Sequence, residues 1–337
     1  MGAGERGEQR LARRERKREV VEGIREFRRH VGNQETFEPA PQALFHWTRD
    51  DQVDALVEAG LAEPGLGFMT ALLATCCLPR TDPGELHRYE RRNGPFCLHL
   101  SRSGNEGLPF GILPRLLLAW ICTEVVRTGS PKLYLGPSLA SFMRELGVQS
   151  SDSGGRTGVR TRLRDQMHRL FGANLRVEYE SEVELRSRSV KGPLVEETDL
   201  WWEPRQFKKV EAWRSTVQLG RRFYEEILAH PVPIDLKVLR GMKRSSLGVD
   251  VYLWLTYRLY RLERPLALSW RQLYRQFAPE PGRADVRSVD YFRSKFLREL
   301  KKLQPAWPGL RFRLKHGSLQ LLPSVGRIAP RASTDRL

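Results

Sequence analysis

The sequence predicts an α+β fold, mainly helical, built from tandem winged helix-turn-helix domains with short β-hairpin wings. Three observations carry that expectation. One order of elements occurs twice: apolar helix, short strand, capped helix, basic helix, hairpin. Each basic helix gathers its apolar residues into one stripe. The chain also holds 57 Lys and Arg against 40 Asp and Glu, a formal net charge of +17.

At 337 residues the chain has room for two ordinary domains with flanking segments. The divisions expected are a charged, partly helical arm at 1–38, an irregular extension packed on the first domain at 39–94, winged-helix domains at 95–204 and 205–325, and a disordered tail at 326–337. Residues 1–30 hold ten Arg/Lys and six Glu, with Leu11, Val20, Val21, Ile24 and Phe27 the main apolar residues, and read as a solvated, partly helical arm. With a pI of 10.1 and a mean hydropathy of −0.49, the chain is expected to be a cytoplasmic protein whose partner is a polyanion. The longest apolar run, ILPRLLLAWIC, is broken by Pro114 and Arg115, and MGAGERGEQR has no apolar leader, so neither a membrane nor export is expected. Cys76, Cys77, Cys97 and Cys122 form no CxxC pair and read as buried thiols in a reducing compartment, with no disulfide framework or zinc site. His99 and His168 read as isolated histidines.

The first copy begins at 109. PFGILPRLLLAWICTEVVRTG reads as a helix that tolerates Pro114 in its first turn. KLYLG is a short strand. SLASFMRELG is a helix with Ser138 as N-cap and Gly147 as its stop. A basic helix follows SGG. Then come LRVEYESEVELRSRS and LVEETDLWWEP, expected to be strands joined around Lys191-Gly192. In the second copy SSLGVDVYLWLTYRLYRL is the apolar helix, PLALSW the strand, and WRQLYRQF a helix capped by Ser269. DVRSVDYFRSKFLRELKKLQP is the basic helix. LRFRLKHGSLQLLPS alternates on both sides of His316-Gly317-Ser318, as a hairpin with a glycine in its turn does.

The two basic helices carry the functional expectation. In VRTRLRDQMHRLF, Val159, Leu163, Met167 and Leu170 share one arc at about 100° per residue. Arg160, Thr161, Arg162, Arg164 and Arg169 fall outside it. In the second helix Val289, Phe292, Phe296, Leu300 and Leu303 form the stripe, and Tyr291, Ser294, Lys295, Arg298 and Lys302 lie opposite. A major groove admits one such helix; Arg and Lys donate to guanine O6 and N7 or clamp phosphates. In the following hairpin Phe312 and Leu314 are expected on one face, with Arg311, Arg313 and Lys315 on the other as a phosphate-touching wing. The first hairpin differs. Between 178 and 203 it has eight Asp/Glu against three Arg/Lys, so it should repel phosphate. Trp201 and Trp202 beside those acids point to a protein contact.

Glycines ahead of a basic helix can also cradle a nucleotide phosphate, but that loop needs Gly-Lys-Ser/Thr, which occurs nowhere in the chain. An enzyme that nicks DNA through a tyrosine needs a His-hydrophobe-His pair for its metal, and none occurs. The expectation is therefore a DNA-binding protein without catalysis, cofactor or metal. A transcriptional repressor fits these features as well as any other duplex reader.

LPFGILPRLLLAWICTEVVRTGSPKLYLGPSLASFMRELG and GGRTGVRTRLRDQMHRLF resemble the plasmid-encoded RepA replication initiators, with a wider similarity over about 40–325. The resemblance implies tandem winged-helix domains and an initiator that binds iteron repeats in a plasmid origin. It further implies melting of adjacent AT-rich DNA, recruitment of the host initiator and replicative helicase, and a monomer–dimer equilibrium in which dimers repress the initiator's own gene. It assigns no individual residue a role.

Overall fold

The computed structural model describes residues 65–93, 96–102, 106–148, 158–181, 186–200, 215–260, 262–278 and 286–324. The charged arm, most of the extension, the glycine pair at 154–155, Trp201 and Trp202, and the tail lie outside them. Among the described residues, nine helices alternate with four small antiparallel sheets.

The extension supplies β1 (Leu66–Thr70), α1 (Ala71–Thr75) and β2 (Arg88–Asn93), and β3 (Phe96–Arg102) follows at the start of the first expected domain. The first repeat of elements follows: α2 (Ile112–Thr128), β4 (Lys132–Tyr134), α3 (Leu139–Glu145), α4 (Val159–Phe171), β5 (Ala173–Ser181), β6 (Arg186–Pro193), β7 (Val195–Asp199) and β8 (Thr216–Leu219). Next come α5 (Arg221–Ala229), β9 (Pro231–Asp235) and α6 (Leu236–Gly241). The second repeat is α7 (Ser246–Leu259), β10 (Leu266–Ser269), α8 (Trp270–Phe277), α9 (Val286–Leu303), β11 (Phe312–Lys315) and β12 (Ser318–Leu321).

The caps expected from the sequence are present. Ser138 Oγ accepts from the Ser141 N–H at 3.1 Å. Ser269 forms a full capping box with Gln272, each side chain serving the other's backbone amide. Gly317 turns the last hairpin at φ 71°, a conformation that favours glycine.

In the second repeat, β10 pairs with β12 and β12 with β11, so the strand after the first helix joins the closing hairpin in the order β10-β12-β11. The first repeat reaches the same order with different strands, β4-β8-β7. The expected hairpin around Lys191-Gly192 is not the one formed. β5 and β6 pair with Ser181 opposite Arg186, so the chain reverses between those residues, and Lys191 and Gly192 sit inside β6. This longer hairpin extends the sheet β2-β3-β5-β6, and β7 instead pairs with β8, across position 205 where the sequence suggests a boundary. Gly192 is not a turn glycine. The glycine that the layout needs is Gly220, where a Cβ would lie 2.1 Å from the Pro193 carbonyl oxygen as β8 passes the end of β6.

One continuous apolar core runs from Leu66 to Leu321. Its two central helices, α2 and α7, are buried on nearly every side. Arg115 of α2 donates to both Asp250 carboxylate oxygens of α7, at 2.6 and 2.8 Å, and also to the carbonyls of Leu78, Pro79 and Gly111. Both side chains are almost wholly enclosed. The arginine that interrupts the longest apolar run therefore ties the two repeats and the extension together. β1 and β9 add a second tie, pairing Leu66 with Asp235. All four cysteines are buried free thiols, as expected. No helix among the described residues is long and apolar enough to cross a membrane.

Candidate nucleic-acid interface

Helix α9 is held by aromatic packing. Phe296 packs edge-on against Trp254, Trp270 and Phe277 with ring centroids 6.2, 6.0 and 5.5 Å away. Phe292 meets Tyr274 at 5.6 Å. Phe296, Leu300 and Leu303 are fully buried, Phe292 nearly so, and Val289 packs at the edge of the core. The expected stripe is therefore the seam that fixes the rotation of this helix.

That rotation turns Tyr291, Ser294, Lys295, Arg298 and Lys302 outward, all exposed. Tyr291 is 64% exposed, and the Lys295 ammonium sits 4.2 Å from its ring centroid. Hydrogen bonding to Lys295, with the same ammonium's charge, holds the Tyr291 hydroxyl below the ordinary tyrosine pKa. Ser294 Oγ donates to the Asp290 carbonyl at 3.1 Å. Lys302 is partly engaged by its own helix, with Nζ 2.9 Å from the Glu299 carboxylate. Arg271 and Arg275 on α8, and Arg287 and Lys301 on α9, are exposed as well. They were legible as charged positions opposite Leu273, Phe277 and the α9 seam.

The closing hairpin brings Arg313 and Lys315 to the surface on the edge strand β11, with Arg311 just before it, all exposed. The expectation for its apolar face needs correction. Phe312 packs on the core, but Leu314 stays 49% exposed, and Leu319 and Leu321 of β12 fill the inner face. β11 is the outer strand, so a side chain near its tip overhangs the core.

Helix α4 divides differently. Leu163, Met167 and Leu170 are buried and Val159 half-buried, as the spacing predicts. Arg160, Thr161, Arg162 and Arg164 are exposed on its first half. Arg169 is not with them. Its side chain is 17% exposed, with Nε 3.0 Å from Asp165 and Nη1 3.4 Å from Asp82. It also donates to the Leu108 carbonyl at 3.3 Å and lies over the Phe110 ring. Buried Gln166, which the sequence pattern does not single out, accepts from the Phe110 N–H at 2.9 Å. Arg102 reaches from β3 to the His168 carbonyl and pairs with Glu106. Burial, then the charges of Arg164 and Arg102, lower the His168 pKa. The second half of α4 is thus bolted to Asp82 of the extension, to β3 and to the segment that leads into α2.

Glu196, Glu197 and Asp199 are exposed on β7, and Glu196 accepts from the Arg221 N–H at 3.1 Å.

Residues 108–272 match the family model described as "Plasmid encoded RepA protein". The match takes in α4 and stops at the start of α8, before α9 and the closing hairpin. Two crystal structures of domains 2 and 3 of RctB are similar in part. One, of selenomethionine derivatives, has 15% identity and a TM-score of 0.44, covering 75% of this chain and 95% of that one. The other has 14% identity and a TM-score of 0.42, covering 74% and 94%. No curated protein matches the sequence.

Proposed function

Through residues 108–272 this chain belongs to the plasmid-encoded RepA family of replication initiators, and from that premise we propose that it is a cytoplasmic initiator that reads iteron repeats in its plasmid's origin as duplex DNA. The reading treats both repeats of elements as winged helix-turn-helix units. In the second, α9 is the reading helix and β11–β12 the wing; in the first, α4 docks on an adjacent stretch of groove and β7–β8 take the wing's place. The single observation that carries it is α9: a helix locked by buried aromatics that turns Tyr291, Ser294, Lys295 and Arg298 outward beside a basic hairpin.

Counterion release by these cations supplies most of the affinity, and donors on α9 choose the bases. The reaction has no catalytic step. Several copies bound to neighbouring repeats bend the duplex, and the deformation opens the adjacent AT-rich segment. The exposed acids of β7 repel phosphate, and the acidic stretch that ends in Trp201 and Trp202 is assigned to a second copy or to the host initiator and helicase.

The test is fluorescence anisotropy with a duplex carrying the direct repeats beside the gene and with a scrambled duplex of equal length. Preference for the repeats, together with plasmid establishment only when the gene is present, supports the reading. Equal affinity for both duplexes, or nicking of supercoiled origin DNA in magnesium or manganese, contradicts it.

A further inference from the structure

The outer face of the sheet β2-β3-β5 gathers side chains that the nucleic-acid reading does not use. Cys97 and His99 are two apart on β3 and so share a face. Glu90 stands directly opposite His99 on β2. The Cys97 sulfur, a His99 ring nitrogen and a Glu90 carboxylate oxygen all lie within 4.8 Å of one another. The sequence leaves His99 isolated because its neighbours arrive through strand pairing and not through a local motif.

From this geometry we propose that Glu90, Cys97 and His99 form a binding site for one borderline divalent cation of the zinc class. Sulfur, nitrogen and oxygen donors together suit that class, and three protein ligands leave a fourth position for water. A second observation concerns how the histidine is held. His99 Nε2 lies 2.7 Å from Glu178 on β5, while Nδ1 faces Glu90 at 3.8 Å. A proton on Nε2 donated to the nearer carboxylate, Glu178, leaves the lone pair on Nδ1 facing Glu90, where a metal needs it.

Tetrahedral zinc spaces its donor atoms by roughly 3.3–3.8 Å, so the set must contract slightly. Glu90, the most exposed of the three, is the side chain able to move. Arg92 lies 3.7 Å from Glu90, and Arg176 contacts Glu178. These two cations oppose a metal, but once Cys97 ionises they face three anions: Glu90, Glu178 and the thiolate. In the metal-free protein, burial and then Glu90 push the Cys97 thiol up to about 12. Binding therefore replaces the S–H bond with a sulfur–metal bond and releases one proton to solvent, and affinity rises with pH. The bound cation would stitch β2 to β3 and, through Glu178, to β5, the strand that leaves α4.

The experiment uses the full chain, kept reduced with a phosphine and titrated with cobalt(II) as an optical stand-in for zinc. One equivalent should produce a thiolate-to-cobalt charge-transfer band that one equivalent of zinc bleaches. Cys97→Ser should abolish the band, and His99→Gln should weaken binding by at least about 10-fold. Cys76→Ser and Cys122→Ser should leave the band in place. The inference is overturned if the wild-type chain gives no band at millimolar cobalt, or if the band survives Cys97→Ser. The wild-type titration decides the matter even if a variant fails to fold, and it is independent of whether the chain binds DNA.

Discussion

Helices α4 and α9 hold the same place in their repeats, and their cations meet different surroundings. On α4 the exposed arginines are confined to the first half, because Arg169, Gln166 and the carbonyl of His168 are tied to β3 and to the segment that leads into α2. On α9 the buried seam is apolar, made of Phe292, Phe296, Leu300 and Leu303, and Tyr291, Ser294, Lys295 and Arg298 along the opposite side remain exposed. The hairpins diverge in the same sense. The one directly after α4 is absorbed into a four-stranded sheet, whereas the one after α9 is short, basic and at an edge. An anchor made of polar side chains consumes charge that an anchor made of phenyl rings leaves available.

The largest expected effect tests what the two repeats share. Asp250→Asn leaves the Arg115 guanidinium enclosed without its counter-charge, and chemical denaturation should show a loss of about 3–5 kcal/mol. Both repeats should unfold in one transition, because the core is continuous. A loss confined to one of two separate transitions would break the picture of a joint core.

Next is the contrast itself. Lys295→Ala/Arg298→Ala should weaken duplex binding on the order of 100-fold at fixed salt. Arg160→Ala/Arg162→Ala/Arg164→Ala should cost about 10-fold, as loss of backbone contacts does. Competition binding measures both. The reverse order would make α4, the helix inside the family match, the principal reader.

Arg169→Ala should sharpen the comparison from the other side. It should lower stability by about 1–2 kcal/mol and leave affinity per folded molecule within about twofold, since its partners are Asp165, Asp82 and the Leu108 carbonyl. The smallest effect concerns His168. Its pKa is lowered in the folded state, so below the ordinary value of 6.5 the unfolded chain binds more protons. The group's contribution to stability is thus intact above that value and eroded as pH falls through it. Arg164→Gln removes one cause of the lowering, and an NMR titration should show the His168 pKa moving up.

Much of the fold was legible because it is local. Ser138 and Ser269 announce helix starts, period 3.6 places Phe292 and Phe296 inward, and His316-Gly317 marks a turn. What was not legible depends on pairing between distant segments. Nothing near Leu66 signals Asp235, and nothing near Lys132 signals Gln218. Lys191-Gly192 has the composition of a turn, yet Gly192 simply occupies a strand, its missing Cβ in ordinary contact range of Arg222. The site was half legible for the same reason. Spacing finds which cations leave the apolar stripe of a helix, but Arg169 leaves the stripe and still meets Asp82, which lies 87 positions earlier.

The most direct test of the account is the salt dependence of duplex binding. On a plot of log affinity against log salt, the wild-type chain should fall steeply, and Lys295→Ala/Arg298→Ala should reduce that slope by about two, close to one for each lost phosphate-neutralising cation. A double variant that keeps both the affinity and the slope of the wild type would mean that α9 does not touch the DNA.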